Sequence, residues 1–298
     1  MELMYQRILP DYVELYKAAG MDIQMGPKCL HVKDTPERIT LVMEDLMRQN
    51  FCNMDRLSGL DMPHITRVLQ KLAEMHAASA VYAELNGPFN EMFHQHFYCE
   101  KNRKMFEAIC EKRHVAYVDA MRTWGLDNVD DYIAKLLSAK AFFDESVRIG
   151  EFDPDEFNVL NHGDCWSNNI MFNYKENGEI DQTLFVDFQV GKWGSPTQDL
   201  WYLIITSASL DIKIKEFDHF ICIYHKRLVE CLKMLKYSKP IPSLKELHML
   251  MLKYANIENM LKMGPEGDDL RRKTFMNPIY AKAMCQLYPF FMNKGIFA

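Results

Sequence analysis

Charge of one sign is what this sequence most plainly lacks: 35 Lys and Arg stand against 41 Asp and Glu, a formal charge of -6, and no basic run stands out. A nucleic-acid partner requires a basic stripe facing the phosphate backbone, so that class is excluded. Long apolar runs are also missing. The most apolar stretch, Leu200 to Ala208, is far shorter than the eighteen or so residues of a membrane span, so no membrane partner is expected. The chain opens Met1-Glu2-Leu3-Met4-Tyr5-Gln6-Arg7, without the basic, apolar and small-residue order of a signal peptide. It reads as a soluble cytoplasmic protein. Its eight cysteines (29, 52, 99, 110, 165, 222, 231, 285) are scattered with no C-x-x-C pair, which argues against a disulfide scaffold or zinc site and for free thiols. No repeat, low-complexity tract or Gly/Ser linker breaks the chain. What is present, 48% apolar and 26% charged residues over 298 positions, is globular composition on the scale of two ordinary domains or one larger fold.

The pattern predicts helix from Met1 to Ile8 and a second helix from Pro10 to Ala19, ended by Gly20. Cys29 to Val32 and Ile39 to Glu44 read as strands of a hairpin turned through Lys33 to Arg38. Asp61 can cap a helix over Pro63 to Tyr82, with Ile65, Leu69, Leu72, Ala73 and His76 on one face. On that apolar face His76 reads as a satisfied core histidine rather than a ligand. Further helices are expected between Asn102 and Gly150, the clearest over Asp130 to Arg148. Three short strands follow at Asn158 to Asn161, Ile170 to Tyr174 and Leu184 to Phe188, the last two joined by Lys175-Glu176-Asn177-Gly178, a hairpin-turn signal. Ser195-Pro196 opens a helix over Thr197 to Ala208, and long helices are expected over Ile212 to Lys236, Ser243 to Met263 and Arg271 to Asn293.

The informative segment runs Asn161-His162-Gly163-Asp164-Cys165-Trp166-Ser167-Asn168-Asn169, followed by Leu184-Phe185-Val186-Asp187-Phe188-Gln189. Phosphoryl transfer to a hydroxyl needs a carboxylate that takes or orients the hydroxyl proton, and oxygen ligands that hold magnesium against the triphosphate. Asp164 with Asn169 five residues on reproduces an H-x-D-x-x-x-x-N loop, and Asp187 supplies a second metal ligand at the end of an apolar run. The competing reading is a polar turn with an Asx cap. Other signals are weaker. His94-Gln95-His96 lacks a third ligand and reads as packing, Arg271-Arg272-Lys273 as a solvated helix end, and the 21 methionines as core filling rather than a sterol pocket. Trp166 could border an acceptor site or only pack.

Met43-Glu44-Asp45-Leu46 after a strand, Leu72 to Ser79, the His162 to Phe172 block, Val186-Asp187-Phe188-Gln189 and Gly194 to Leu200 together resemble the ecdysteroid kinase-like (CHK kinase-like) branch of the choline kinase and aminoglycoside phosphotransferase superfamily. The resemblance implies an α+β protein-kinase-like fold. It also implies ATP and Mg2+ as cofactors, with transfer of the gamma phosphate to the hydroxyl of a small-molecule acceptor, in some members a steroid. It carries the catalytic base to Asp164, magnesium ligation to Asn169 and Asp187, and backbone adenine contact to Met43, Glu44, Asp45 and Leu46. It gives His162 a bracing role in the loop, makes Asp199 an acceptor for the loop's backbone, and matches Glu2 to the Glu that pairs with a strand lysine.

The family's Gly-rich hairpin and Lys-bearing strand have no counterpart in these 298 residues, and no G-x-G-x-x-G occurs. The expected organisation is therefore a truncated N-terminal lobe over 1–48 and a large, mainly helical C-terminal lobe over 49–298. The hairpin, short of neighbouring strands, would expose an edge that is a template for self-association. Lost phosphate-facing charge weakens transfer, so a catalytically impaired ligand-binding or interaction protein stands as the alternative. A metal-dependent hydrolase using Asp164 and Asp187 fits the Asn at five residues less well.

Overall fold

The computed structural model describes residues 2–35, 38–95, 98–255 and 273–296. In chain order a π-helical turn, Met4–Ile8, runs into helix α1 (Leu9–Ala18), followed by strands β1 (Cys29–Thr35) and β2 (Arg38–Met43). Helices α2 (Met62–Asn86), α3 (Arg103–Met121), α4 (Val129–Lys135) and α5 (Ala139–Gly150) come next, then strands β3 (Val159–Asn161), β4 (Ile170–Tyr174), β5 (Ile180–Phe185) and β6 (Lys192–Gly194). Helices α6 (Thr197–Ser207), α7 (Leu210–Lys213), α8 (Phe217–Met234), α9 (Leu244–Lys253) and α10 (Pro278–Asn293) complete a mixed, mainly helical fold. The chain forms two compact units, Met1–His94 with Phe152–Met251, and Gln95–Glu151 with Leu252–Ala298.

In the first unit, the two N-terminal helices expected from the sequence are one continuous helix, contrary to the break predicted at Pro10. A proline inside an α-helix clashes with the carbonyl four residues back. Here the preceding turn is wound wider, with the Leu9 amide donating to the Met4 carbonyl five residues back, and the proline is accommodated. Gly20, at φ 82°, ends the helix as expected, and the Met21 amide donates back to the Tyr16 carbonyl at 2.9 Å. β1 and β2 pair antiparallel down to Thr35 opposite Arg38, so both strands run further toward the turn than the sequence indicated. Leu30, Ile39 and Val42 of this hairpin are exposed.

α2 forms the centre of the unit. Asp61 caps it, its carboxylate accepting from the His64 amide at 3.1 Å, and every residue from Leu72 to Tyr82 is buried. A helix apolar all round must be enclosed by other elements, and α2 packs against α1, α8, β3 and β5. The strands form three separate antiparallel pairs, β1 with β2, β4 with β5, and β3 with β6, the last strand not foreseen from sequence. The β4–β5 turn closes at Gly178 (φ 82°), where its amide donates to the Lys175 carbonyl at 2.9 Å. β5 then starts at Ile180 and ends at Phe185, earlier than the expected Leu184 to Phe188. Asp187 therefore lies beyond the strand, with left-handed backbone at φ 65°. α6 starts at Thr197 with Pro196 as its cap position, and the Thr197 amide donates to the Ser195 hydroxyl at 3.4 Å.

In the second unit, the helix expected over Asp130 to Arg148 is two helices. Leu136 is extended, and the Ser138 hydroxyl accepts from the Ala141 amide to start α5 afresh. α3 packs on α5, where the Arg103 guanidinium binds the carboxylates of Glu100, Glu107 and Asp144 and lies 4.5 Å from the centre of the Phe143 ring. Tyr117, Trp124, Phe275 and Tyr288 make an aromatic cluster in the same unit. The expected helix from Ile212 is instead the short α7 followed by α8, and the helix expected over Arg271 to Asn293 is interrupted: Lys273 to Phe275 are helical, and α10 starts afresh at Pro278 behind the capping Asn277. The helix expected to reach Met263 ends as α9 at Lys253, where Tyr254 turns the chain, and His96, Arg271 and Arg272 lie outside the described residues.

Candidate active site

One face of α6 organises the loop between β3 and β4. Asp199, three residues into the helix, is buried, and its carboxylate accepts the His162 amide at 2.6 Å and the Gly163 amide at 2.9 Å. His76 of α2 joins the same carboxylate at 3.2 Å and meets the Tyr224 hydroxyl at 2.7 Å through its other ring nitrogen, a core histidine satisfied at both ends. Burial pushes the Asp199 carboxyl up, but the hydrogen bond and charge of His76, with the Gly163 amide, bring it below its ordinary value. One turn on, the Tyr202 hydroxyl donates to Asp164 at 2.9 Å, and further along Ser207 accepts the Ser167 amide at 2.9 Å. Gly163 has φ 81°, and a Cβ there would sit 2.1 Å from the Val190 carbonyl oxygen, so the loop requires glycine at this position.

His162 ties the loop to the segment carrying Asp187. Its Nε2 donates to the Val186 carbonyl at 2.9 Å while its Nδ1 accepts the Asp164 amide at 3.3 Å, an arrangement that selects the neutral Nε2–H tautomer. Burial holds this ring below its usual value, against the pull of Asp199, Asp164 and Asp187. The ring also packs on Phe188 with centroids 4.7 Å apart, and Phe188 meets Tyr5 edge-on at 5.5 Å, so the N-terminal helix, the Asp187 segment and the loop share one aromatic column. The Asp187 amide donates to the Tyr5 hydroxyl at 3.1 Å.

Of the residues singled out in the sequence, Asp164 and Asn169 touch directly. The Asn169 Nδ2 donates to the Asp164 carboxylate and to its backbone carbonyl, both at 2.9 Å. The Asn169 carbonyl accepts the Val186 amide at 3.0 Å, which sets Asp187 beside Asn169 at the open end of the β4–β5 hairpin. No group of three His, Cys, Asp or Glu able to hold a metal exists among the described residues. An Asp and an Asn nonetheless fit magnesium, which takes oxygen ligands and keeps water and phosphate oxygens beside one or two from the protein. With its Nδ2 held on Asp164, Asn169 turns its amide oxygen the other way.

Met43 ends β2, and Asp45 caps the 3-10 turn Leu46–Gln49 by accepting from the Met47 and Arg48 amides. Glu44 accepts from the Lys28 amide at 2.8 Å and from the side chains of Gln24 and Gln49 at 2.6 and 3.1 Å. Both acidic side chains are thus engaged with neighbouring chain, leaving the backbone of this segment as the element that could face a ligand. Glu2 makes no ion pair among the described residues, and Trp166 is half-buried at the start of the turn Ser167–Asn169.

The sequence model of the ecdysteroid kinase-like family matches residues 2–237. The chain belongs to the ecdysteroid kinase-like family. Membership in that family implies the protein-kinase-like fold, and it points to kinase-like phosphotransferase activity on small molecules with the general use of ATP and a divalent metal. No curated protein matches the chain. Two residues of the site in this ecdysteroid kinase-like protein were not singled out from sequence. Tyr202 carried a usable signal, since it lies three residues after Asp199 and so on the same helix face. Asn53, whose side chain donates to the carbonyls of Asn168 and Ile170 at 3.0 and 2.8 Å, carried none, because its contact spans more than a hundred residues of chain.

Proposed function

We propose that this chain binds ATP with magnesium and transfers the gamma phosphate to an alcohol hydroxyl of a small molecule, with hydroxysteroids the first class to test. Asp164 orients the acceptor hydroxyl and takes its proton as the new P–O bond forms, and the bond to the beta phosphate breaks to release ADP. Asn169 and Asp187 hold the magnesium, whose role when bound is to neutralise charge on the transferring phosphate. The backbone of Met43 to Leu46 receives the adenine. The observation carrying this reading is the bond between the Asn169 amide and the Asp164 carboxylate, with Asp187 placed next to Asn169 by the hairpin. The lobe division at residue 48 belongs to the same reading.

The test is phosphate transfer by the purified chain across a panel of hydroxysteroids and simpler alcohols, with Asp164→Asn as the control. Turnover should fall by about a hundredfold or more in the variant, the usual contribution of a positioned base. Equal turnover in both proteins would remove Asp164 from the chemistry. A second reading is a ligand-binding protein impaired in transfer. Calorimetry separates the two, because tight binding of an acceptor without binding of Mg-ATP belongs only to the second.

A further inference from the structure

We propose that Tyr202 is a positioning residue that fixes the orientation of the Asp164 carboxylate from the rigid face of α6. The inference rests on the reading of Asp164 as the group that receives the acceptor proton, and adds to it the residue that aims that group. The geometry is specific. Asp164 presents two carboxylate oxygens, and each receives one donor: Oδ1 the Tyr202 hydroxyl at 2.9 Å and Oδ2 the Asn169 amide at 2.9 Å. With a single donor the carboxylate can turn about its terminal torsion, which is broad and soft. Two donors on opposite oxygens stop that rotation and leave the remaining lone pairs at defined positions for the acceptor hydroxyl.

The choice of a phenol also has a chemical consequence. A lysine or arginine at this place would pair with the carboxylate and reduce its basicity, whereas a neutral O–H holds the oxygen while leaving the negative charge in place. Burial, and after it the charge of Asp164 itself, push the Tyr202 phenol well above its ordinary value, so it remains a donor across the working pH range. Its anchor is as firm as its bond. Asp199, three residues earlier on α6, clamps the backbone of His162 and Gly163, and Ser207 receives the Ser167 amide. One helix therefore sets the main chain of the loop and the side chain of its central acid together, and a shift of α6 would move both as a unit.

Tyr202→Phe removes a single oxygen and keeps the ring. The expected result is a fall in kcat of about tenfold, with KM for ATP and for the acceptor each within about twofold of the parent, the pattern of an interaction that matters in the transition state and not in ground-state binding. Unchanged kcat, or a rise in KM alone, overturns the proposal. Asp164→Asn assayed alongside distinguishes the two levels: full turnover in that variant sinks the base assignment, whereas a dead Asp164→Asn beside a fully active Tyr202→Phe sinks only the role of Tyr202. A thermal double-mutant cycle reads the same contact without turnover. Tyr202→Phe should lower Tm by roughly 2–4 °C in the parent and leave it unchanged in an Asp164→Leu background. Equal shifts in both backgrounds would show that the phenol does not hold the carboxylate.

Discussion

The loop from His162 to Asn169 and the hairpin that leads to Met43–Leu46 lie in the same compact unit but are held in different ways. The loop is tied at its backbone and its central acid by groups from α2 and α6, among them the buried Asp199 and His76 and the half-buried Tyr202. The hairpin is held by its own cross-strand pairs and by Glu44, and it turns Leu30, Ile39 and Val42 to solvent. Where charge must be placed to a fraction of an ångström, the fold over-determines the backbone; where a ligand would meet main chain, one hairpin suffices. That contrast predicts unequal sensitivity to substitution.

The largest effect should come from Asp199→Ala, which leaves the His162 and Gly163 amides and the His76 ring without their shared acceptor. Loss of one partner of such a buried charged network costs about 3–5 kcal/mol, and urea denaturation should show it; a loss under about 1 kcal/mol would mean the loop does not depend on α6. Acidification should act on the same network more gently. His162 and Asp199 are both lowered on folding, so their contribution is complete above the unfolded values and is lost as pH falls. Stability should therefore decline below about pH 6.5 and more steeply below about pH 4. Denaturation midpoints that rise on acidification through this window would contradict the assignment. At the hairpin, Glu44→Gln should cost only about 1 kcal/mol, and Val42→Thr on its exposed face less than about 0.5 kcal/mol. Equal losses in loop and hairpin variants would erase the contrast.

Much of this site was legible in the sequence because its residues are local. Asp164 and Asn169 lie within one loop, Asp187 follows a hairpin with a readable turn at Gly178, and Asp199 lies in the first turn of a helix announced by Ser195-Pro196. The parts that escaped depend on distant packing or on small backbone adjustments. The π turn that absorbs Pro10 needs no special residue, Leu136 breaks a helix whose periodicity continues through it, and β6 is only three residues long, too short for a pattern. Asp187 was read as the end of a strand, whereas it sits past the strand in left-handed backbone, a conformation that periodicity does not reveal.

The most direct test is titration of Mg-ATP into the parent chain, Asn169→Ala and Asp187→Ala. If these two oxygen ligands share one magnesium beside Asp164, each variant should bind Mg-ATP at least about tenfold more weakly, as loss of a metal ligand requires, while keeping the parent's Tm to within a few degrees. Parent and both variants binding Mg-ATP with the same affinity would contradict the shared metal site.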